Sequence, residues 1–287
     1  MRGDALRFFE TPFRVAIEAF RQFLAQDGWA IASYIALSTL MALFPFLIVV
    51  TALASFFFGS KELADEAARL LLEAWPQQVA EPISTDISGV LTGANGGALT
   101  VGAVFALYFA SSGVESLRIG LNRAYEQTEE RAWWRLRLES IIYVLVGAVA
   151  ILAFAFLVVL APLIWSKLLI YVPTLEPLSD TVTFARYAVV VVVLMTALAI
   201  LHRWLPAGHR RFADIAPGII ATLMLWLISG AAFGRYLASY AFAYVSMYAG
   251  LASAMVALVF LYVCSSIFIY GGELNAVIVQ RRKKPHH

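Results

Sequence analysis

Charge is what this sequence has least of. Of 287 residues, 14% are charged and 61% hydrophobic, whereas a soluble domain carries about 25% charged and about 45–50% apolar residues. That shortage excludes a soluble globular enzyme and a disordered chain. Cysteine is nearly absent: Cys264 stands alone in an apolar run, so there is neither a disulfide framework nor a thiolate metal cluster. The four histidines form no His-x-His or His-x-x-x-His pattern. His286 and His287 are read as the start of a purification tag and set aside. No G-x-x-x-x-G-K-S/T phosphate loop is present, so any pumping energy has to come from a gradient or a partner. Nor is there an internal repeat of the inverted kind many transporters carry.

Long apolar runs take the place of what is missing. A bilayer-spanning helix needs about 20 mostly apolar residues, and six candidates occur: Trp29–Phe58, Gly97–Ser112, Ile141–Trp165, Tyr187–Leu201, Ile215–Gly234 and Gly250–Gly272. The basic residues orient them. Arg2, Arg7, Arg14 and Arg21 precede the first span; Arg118, Arg123, Arg131, Arg135 and Arg137 follow the second. Arg203, Arg210 and Arg211 follow the fourth, and Arg281, Arg282, Lys283 and Lys284 follow the sixth. The alternate segments hold only Lys61, Arg69, Lys167, Arg186 and Arg235. The chain therefore reads as an all-α polytopic membrane protein with six transmembrane helices and both termini cytoplasmic.

Amphipathic segments flank the spans. Phe9, Phe13, Ile17, Phe20 and Leu24 recur at helical spacing, with Arg7, Arg14 and Arg21 on another face. This predicts a helix over 1–27 lying in the interface, its arginines toward anionic head groups; the adjoining span favours that over a packed soluble helix. Residues 28–279 form the transmembrane domain, with an outer-face helical insertion at 60–96, and 280–287 a basic cytoplasmic tail. Close packing is predicted at the Ala98, Gly102, Ala106, Ala110 ladder, at Gly230 and Gly234, and at Ala249, Ser253 and Ala257, as bundle or homo-oligomer contacts. Pro45 lies mid-span and is the candidate kink.

No span carries a charge near its middle, although an ionisable group there would mark function by default. Glu115 and Glu273 lie roughly 27 and 35 Å along their helices at 1.5 Å per residue, near the cytoplasmic edge. A polar cluster of Glu115 and Glu273 with Arg118, Arg123 or Arg203, completed by Asn122 and Asn275, is the candidate site; ordinary helix-end pairing is the alternative. Tyr236, Tyr240, Tyr244 and Tyr248 form an outer aromatic stripe, read as an interfacial belt before an amphiphile path. Asp214 is placed to cap the fifth span.

Six ordered motifs carry a resemblance over nearly the whole chain: Ser33-Tyr34-Ile35-Ala36-Leu37-Ser38 leading to Phe44-Pro45; Leu121-Asn122-Arg123-Ala124-Tyr125 with Arg131 and Trp133-Trp134; Arg203-Trp204-Leu205-Pro206; Asp214 with Pro217-Gly218; Tyr248-Ala249-Gly250; and Gly272-Glu273-Leu274-Asn275-Ala276. The chain resembles the YihY/BrkB family of bacterial inner-membrane proteins. The resemblance implies the location, and it brings labels of ribonuclease, virulence factor and transporter. Metal-dependent RNA hydrolysis needs His, Asp or Glu ligands around a water-activating ion, and the sequence supplies no such set, so the enzyme reading is rejected. The basic loops already follow from topology, which leaves no reason to invoke nucleic acid. Passage or flipping of a lipid-like amphiphile across the inner membrane is the expected function, with membrane lipids as partners and no cofactor. Ion- or proton-coupled solute exchange and a non-transporting scaffold for envelope assembly are the alternatives.

Overall fold

The computed structural model describes residues 2–58, 96–155, 161–248 and 252–283. The regular elements among the described residues are helices: α1 (Arg2–Ala25), α2 (Gly28–Phe58), α3 (Gly96–Ala124), α4 (Trp133–Ala155), α5 (Ala161–Tyr171), a 3-10 turn (Pro173–Leu178), α6 (Ser179–Trp204), α7 (Phe212–Tyr248) and α8 (Ala252–Lys283). Among the described residues four stretches are long and apolar enough to cross a membrane: Trp133–Ala153, Pro173–Trp204, Phe212–Leu237 and Ala254–Arg282. Gly28–Leu43 is a shorter apolar helix. The first two expected spans fall on α2 and α3, and the α2 helix continues through Pro45. Segment 60–95 of the expected outer insertion and residues 284–287 of the tail lie outside the described residues.

Some boundaries differ from the sequence reading. The third span was expected from Ile141, but helix starts at Trp133 and takes in Arg135 and Arg137; an apolar window misses a helical turn whose side chains are charged. The fifth helix does not stop at Gly234. It runs to Tyr248, because nothing after Pro217 breaks it and a single Arg235 is no barrier to helix. Asp214 is not the N-cap. Since α7 begins at Phe212, Asp214 sits within the first turn, where a carboxylate suits the helix dipole, and its Oδ1 accepts a hydrogen bond from Arg282 Nη1 at 2.9 Å.

The chain divides into two compact units. One comprises Met1–Leu40, Glu115–Ala132 and Met195–His287; the other comprises Met41–Val114 and Trp133–Leu194. In the second, small and β-branched residues let helices approach closely: Val49 and Val50 of α2, Ala106 and Ala110 of α3, and Val144 and Ala148 of α4 form one buried cluster. Arg137 donates to Ser111 Oγ at 2.8 Å and stacks over Tyr108, its carbon 4.1 Å from the ring centre. Of the predicted packing glycines, Gly102, Gly230 and Gly234 meet no neighbour among the described residues.

The first unit is built around α7 and α8. A Cβ on Gly218 would lie 2.1 Å from the Gly271 carbonyl oxygen, and one on Gly271 would lie 2.1 Å from Thr222 Oγ1. The two backbones are in contact, which only glycine permits. Helix α1 packs on α8 through buried Ala19 and Phe23. The Tyr270 hydroxyl donates to the Ala16 carbonyl at 3.2 Å, and Arg281 pairs with Glu18. This contact leaves the other face of α1 uncovered: Phe13 is 68% exposed, and Ile17, Phe20 and Leu24 are exposed with it.

Candidate functional site

The polar groups of the first unit converge where α3 ends and the α6–α7 loop begins. Helix α3 stops at Ala124, and Glu126 takes a left-handed φ of 53°. That turn brings Glu129 back toward Asn122, whose Nδ2 donates to Glu129 Oε2 at 3.0 Å. Arg131 grips the same carboxylate through Nε and Nη2, each at 2.8 Å, and Nη2 also donates to the Leu205 carbonyl at 3.1 Å. Asn122 Oδ1 accepts from Ala207 N at 2.6 Å. Two loops are thereby clamped together. The Arg131 fork, with Asn122 adding, holds the Glu129 carboxyl at about 2, below its usual 4.5. A depressed native pKa stabilises the fold above the unfolded value, and that contribution is lost as pH falls toward the native one. The melting-temperature difference between wild type and Glu129→Gln should therefore shrink steadily from pH 4.5 toward 2. A difference that does not change with pH would mean the clamp contributes nothing.

Asn275 of α8 joins this region to the helices. A backbone N–H can only donate, so Gly218 N at 2.7 Å fixes the side-chain oxygen, and Nδ2 must donate to the Tyr125 hydroxyl at 3.1 Å. The phenol hydrogen then goes to His202 Nδ1, 2.8 Å away, since no other acceptor for it exists among the described residues. His202 is therefore neutral with its hydrogen on Nε2. That Nε2 is buried and has no hydrogen-bond partner among the described residues. Burial, the largest cause, pushes the Tyr125 pKa up to about 12 despite the Asn275 hydrogen bond and the charge of Arg210. Tyr125 stays a phenol. The Arg210 guanidinium lies over its ring at 3.9 Å, a cation–π contact; burial lowers the Arg210 pKa as well.

Beside this network opens a half-enclosed cavity of about 430 Å³, walled in part by Tyr125, Glu126, Arg210, Asp214 and Asn275. Its surface is chiefly polar. The residues singled out in the sequence are divided around it. Asn122 and Asn275 belong to the network. Glu115 and buried Arg118 pair with each other at 3.3 Å, and Arg123 pairs with Asp27 at 2.9 Å. Arg203 donates to the Arg210 carbonyl at 2.8 Å and stacks on Phe212 at 4.1 Å. Glu273, 1% exposed, makes no ion pair among the described residues, and its Oε2 is buried without a hydrogen-bond partner. Tyr236 is exposed on α7; Tyr240, Tyr244 and Tyr248 follow on the same helix, with side chains outside the described set. Tyr125, His202 and Arg210 were not singled out as site residues, although Tyr125 closes the Leu121–Tyr125 motif. Among the described residues no three His, Cys, Asp or Glu side chains converge as metal ligands.

The model of the family described as virulence factor BrkB matches residues 19–287, so it takes in every residue of the network and the cavity. The chain belongs to the BrkB family. It is similar to the "ribonuclease-like protein YfkH" of Bacillus subtilis (strain 168), with 25% identity over 268 residues, covering 93% of this chain and 96% of that protein. It is likewise similar to "UPF0761 membrane protein RC1_0578" of Rhodospirillum centenum, with 25% identity over 274 residues. That match covers 93% of this chain but 58% of the relative. No solved structure matches. Family membership and the apolar helices together make this BrkB-family chain a multi-pass membrane protein.

Proposed function

We propose that this chain is a six-span protein of the bacterial inner membrane, both termini cytoplasmic, that passes or flips a lipid-like amphiphile. The cavity beside Tyr125 and Arg210 carries the reading. In a membrane protein, buried polar groups are expensive and mark the route of a substrate or ion, and this polar hollow lies at helix ends on the side where the basic residues gather. The exposed apolar face of α1 adds to it, since such a face bordered by Arg14 and Arg21 suits the interface with anionic lipid. No enzymatic step enters this reading, and no nucleic acid. The test is reconstitution into liposomes with a fluorescent anionic phospholipid. Protein-containing vesicles should exchange the probe between leaflets several-fold faster than protein-free ones. An unchanged rate removes the reading.

One observation favours the second reading, ion- or proton-coupled solute exchange. Glu273 lies within an apolar helix with Oε2 buried and unpartnered, the setting in which a carboxylate serves as an ion site. On that reading, liposomes with a pH gradient should dissipate it in the presence of the protein, and Glu273→Gln should abolish the dissipation. Silence in both assays would leave a scaffold.

A further inference from the structure

We propose that the cavity beneath Arg210 is a binding site for a phosphate-class oxyanion. The inference deepens the amphiphile reading by naming the head group it takes, yet binding itself is measured apart from transport. It starts from the state of the cavity's charges. The two acids in its wall are already engaged: Asp214 accepts from Arg282 at 2.9 Å, and Glu126 Oε1 accepts from the amides of Gln22 and Gln26 at 3.2 and 3.4 Å. The bases are not engaged in the same way. The side chains of Arg211 and His209 make no hydrogen bond or ion pair among the described residues, and Arg210 is only half satisfied. Its Nη2 donates to the Ala207 carbonyl at 2.9 Å, while Nη1 is buried without an acceptor.

A buried guanidinium N–H with no acceptor loses its hydration and gains nothing, a cost of about 1–3 kcal/mol or more. An oxyanion bound against Arg210 where it lines the cavity removes that cost once a small turn of the fork brings this N–H to it. Two features prepare the guanidinium for it. The Tyr125 ring lies against its plane, and the Ala207 carbonyl holds Nη2, so the guanidinium is close to its binding orientation before a ligand arrives. A planar fork held in this way matches phosphate oxygens in charge-assisted hydrogen bonds. Arg211 and His209 line the same cavity; Arg211 supplies further positive field, and both supply N–H donors. A volume of about 430 Å³ is ample for a phosphate that carries a substituent. The phosphate can belong to a lipid head group or to a free phosphorylated solute; the recognition chemistry is the same.

The test uses the full chain in a neutral detergent and reads its melting temperature in sodium phosphate against sodium chloride at matched ionic strength. Phosphate should raise the melting temperature, Arg210→Gln should lose that rise, and the double variant His209→Gln/Arg211→Gln should weaken it. Both residues of the double variant are exposed, so it stays folded and decides the matter if Arg210→Gln does not. A second arm uses nanodiscs of phosphatidylcholine with and without phosphatidate. Stabilisation by phosphatidate that requires Arg210 assigns the site to a lipid head group; stabilisation by phosphate alone assigns it to a free phosphorylated solute, and both support an oxyanion site. No stabilisation by either probe, or equal stabilisation of wild type and both variants, overturns it. Phosphate binding without lipid exchange in liposomes would defeat the transport reading and leave this site standing. Lipid exchange with no phosphate response would do the reverse.

Discussion

Replacing Gly218 by alanine is expected to abolish accumulation of folded protein. The added Cβ would lie 2.1 Å from the Gly271 carbonyl oxygen and 2.5 Å from Asn275 Nδ2. The first of these is backbone within a helix and cannot swing aside, so α7 and α8 must separate. Separation then breaks the 2.7 Å bond from Gly218 N to Asn275 and the contact of Gly271 with Thr222. Overpacking of this kind together with a lost buried hydrogen bond costs about 3–5 kcal/mol. Gly272→Ala is the control. Its Cβ would meet Ala124 Cβ at 3.2 Å and Leu121 Cδ2 at 3.4 Å, contacts that a slight shift relieves. Monodisperse yield after detergent extraction should be near wild type for Gly272→Ala and close to nil for Gly218→Ala. Equal yields would show that the approach of these helices does not depend on glycine.

The second large effect is expected at Asn275. Its amide is 1% exposed and ties α7, α8 and the end of α3 through Gly218 and Tyr125. Asn275→Ala leaves the Gly218 N–H without that acceptor and removes one donor from the Tyr125 hydroxyl, for a loss of about 2–3 kcal/mol. Asn275→Asp keeps an acceptor for Gly218 but, when ionised, has no hydrogen for Tyr125. The phenol then has two acceptors to choose between, and its bond to His202 weakens. A double-mutant cycle isolates the link: Asn275→Ala should cost less in a Tyr125→Phe background than in wild type. Strictly additive losses in thermal melts would show that the Asn275–Tyr125 bond contributes nothing.

The sequence made the apolar helices legible, because a run of about 20 uncharged residues carries its own explanation. It made Asn122 and Asn275 visible as polar residues near span ends, and Glu115 visible in a cluster with Glu273 and one of three arginines, of which the fold pairs Glu115 with Arg118. It could not show the pairing of Tyr125 with His202 or with Asn275, since partners 77 and 150 positions apart leave no periodic trace. Arg210 illustrates the same limit. In sequence it is one of several loop arginines explained by topology; only the fold lays it on Tyr125 and leaves Nη1 unmet. The misplaced Asp214 cap has a local cause. A carboxylate before an apolar run reads equally well as a cap or as a first-turn residue, and Arg282, 68 positions away, holds it in the second role.

The docking of α1 on α8 has a consequence for the order of assembly. Ala16 and Tyr270 are 254 positions apart, and Glu18 and Arg281 are 263 apart. At roughly 5–20 residues per second of synthesis, α1 leaves the ribosome tens of seconds before the surface that receives Ala19 and Phe23 exists. Through that interval both of its apolar faces are without protein cover. The helix therefore waits at the bilayer surface or in the care of a chaperone, and it closes onto α8 only after the helices between the two have been made, a latch drawn late.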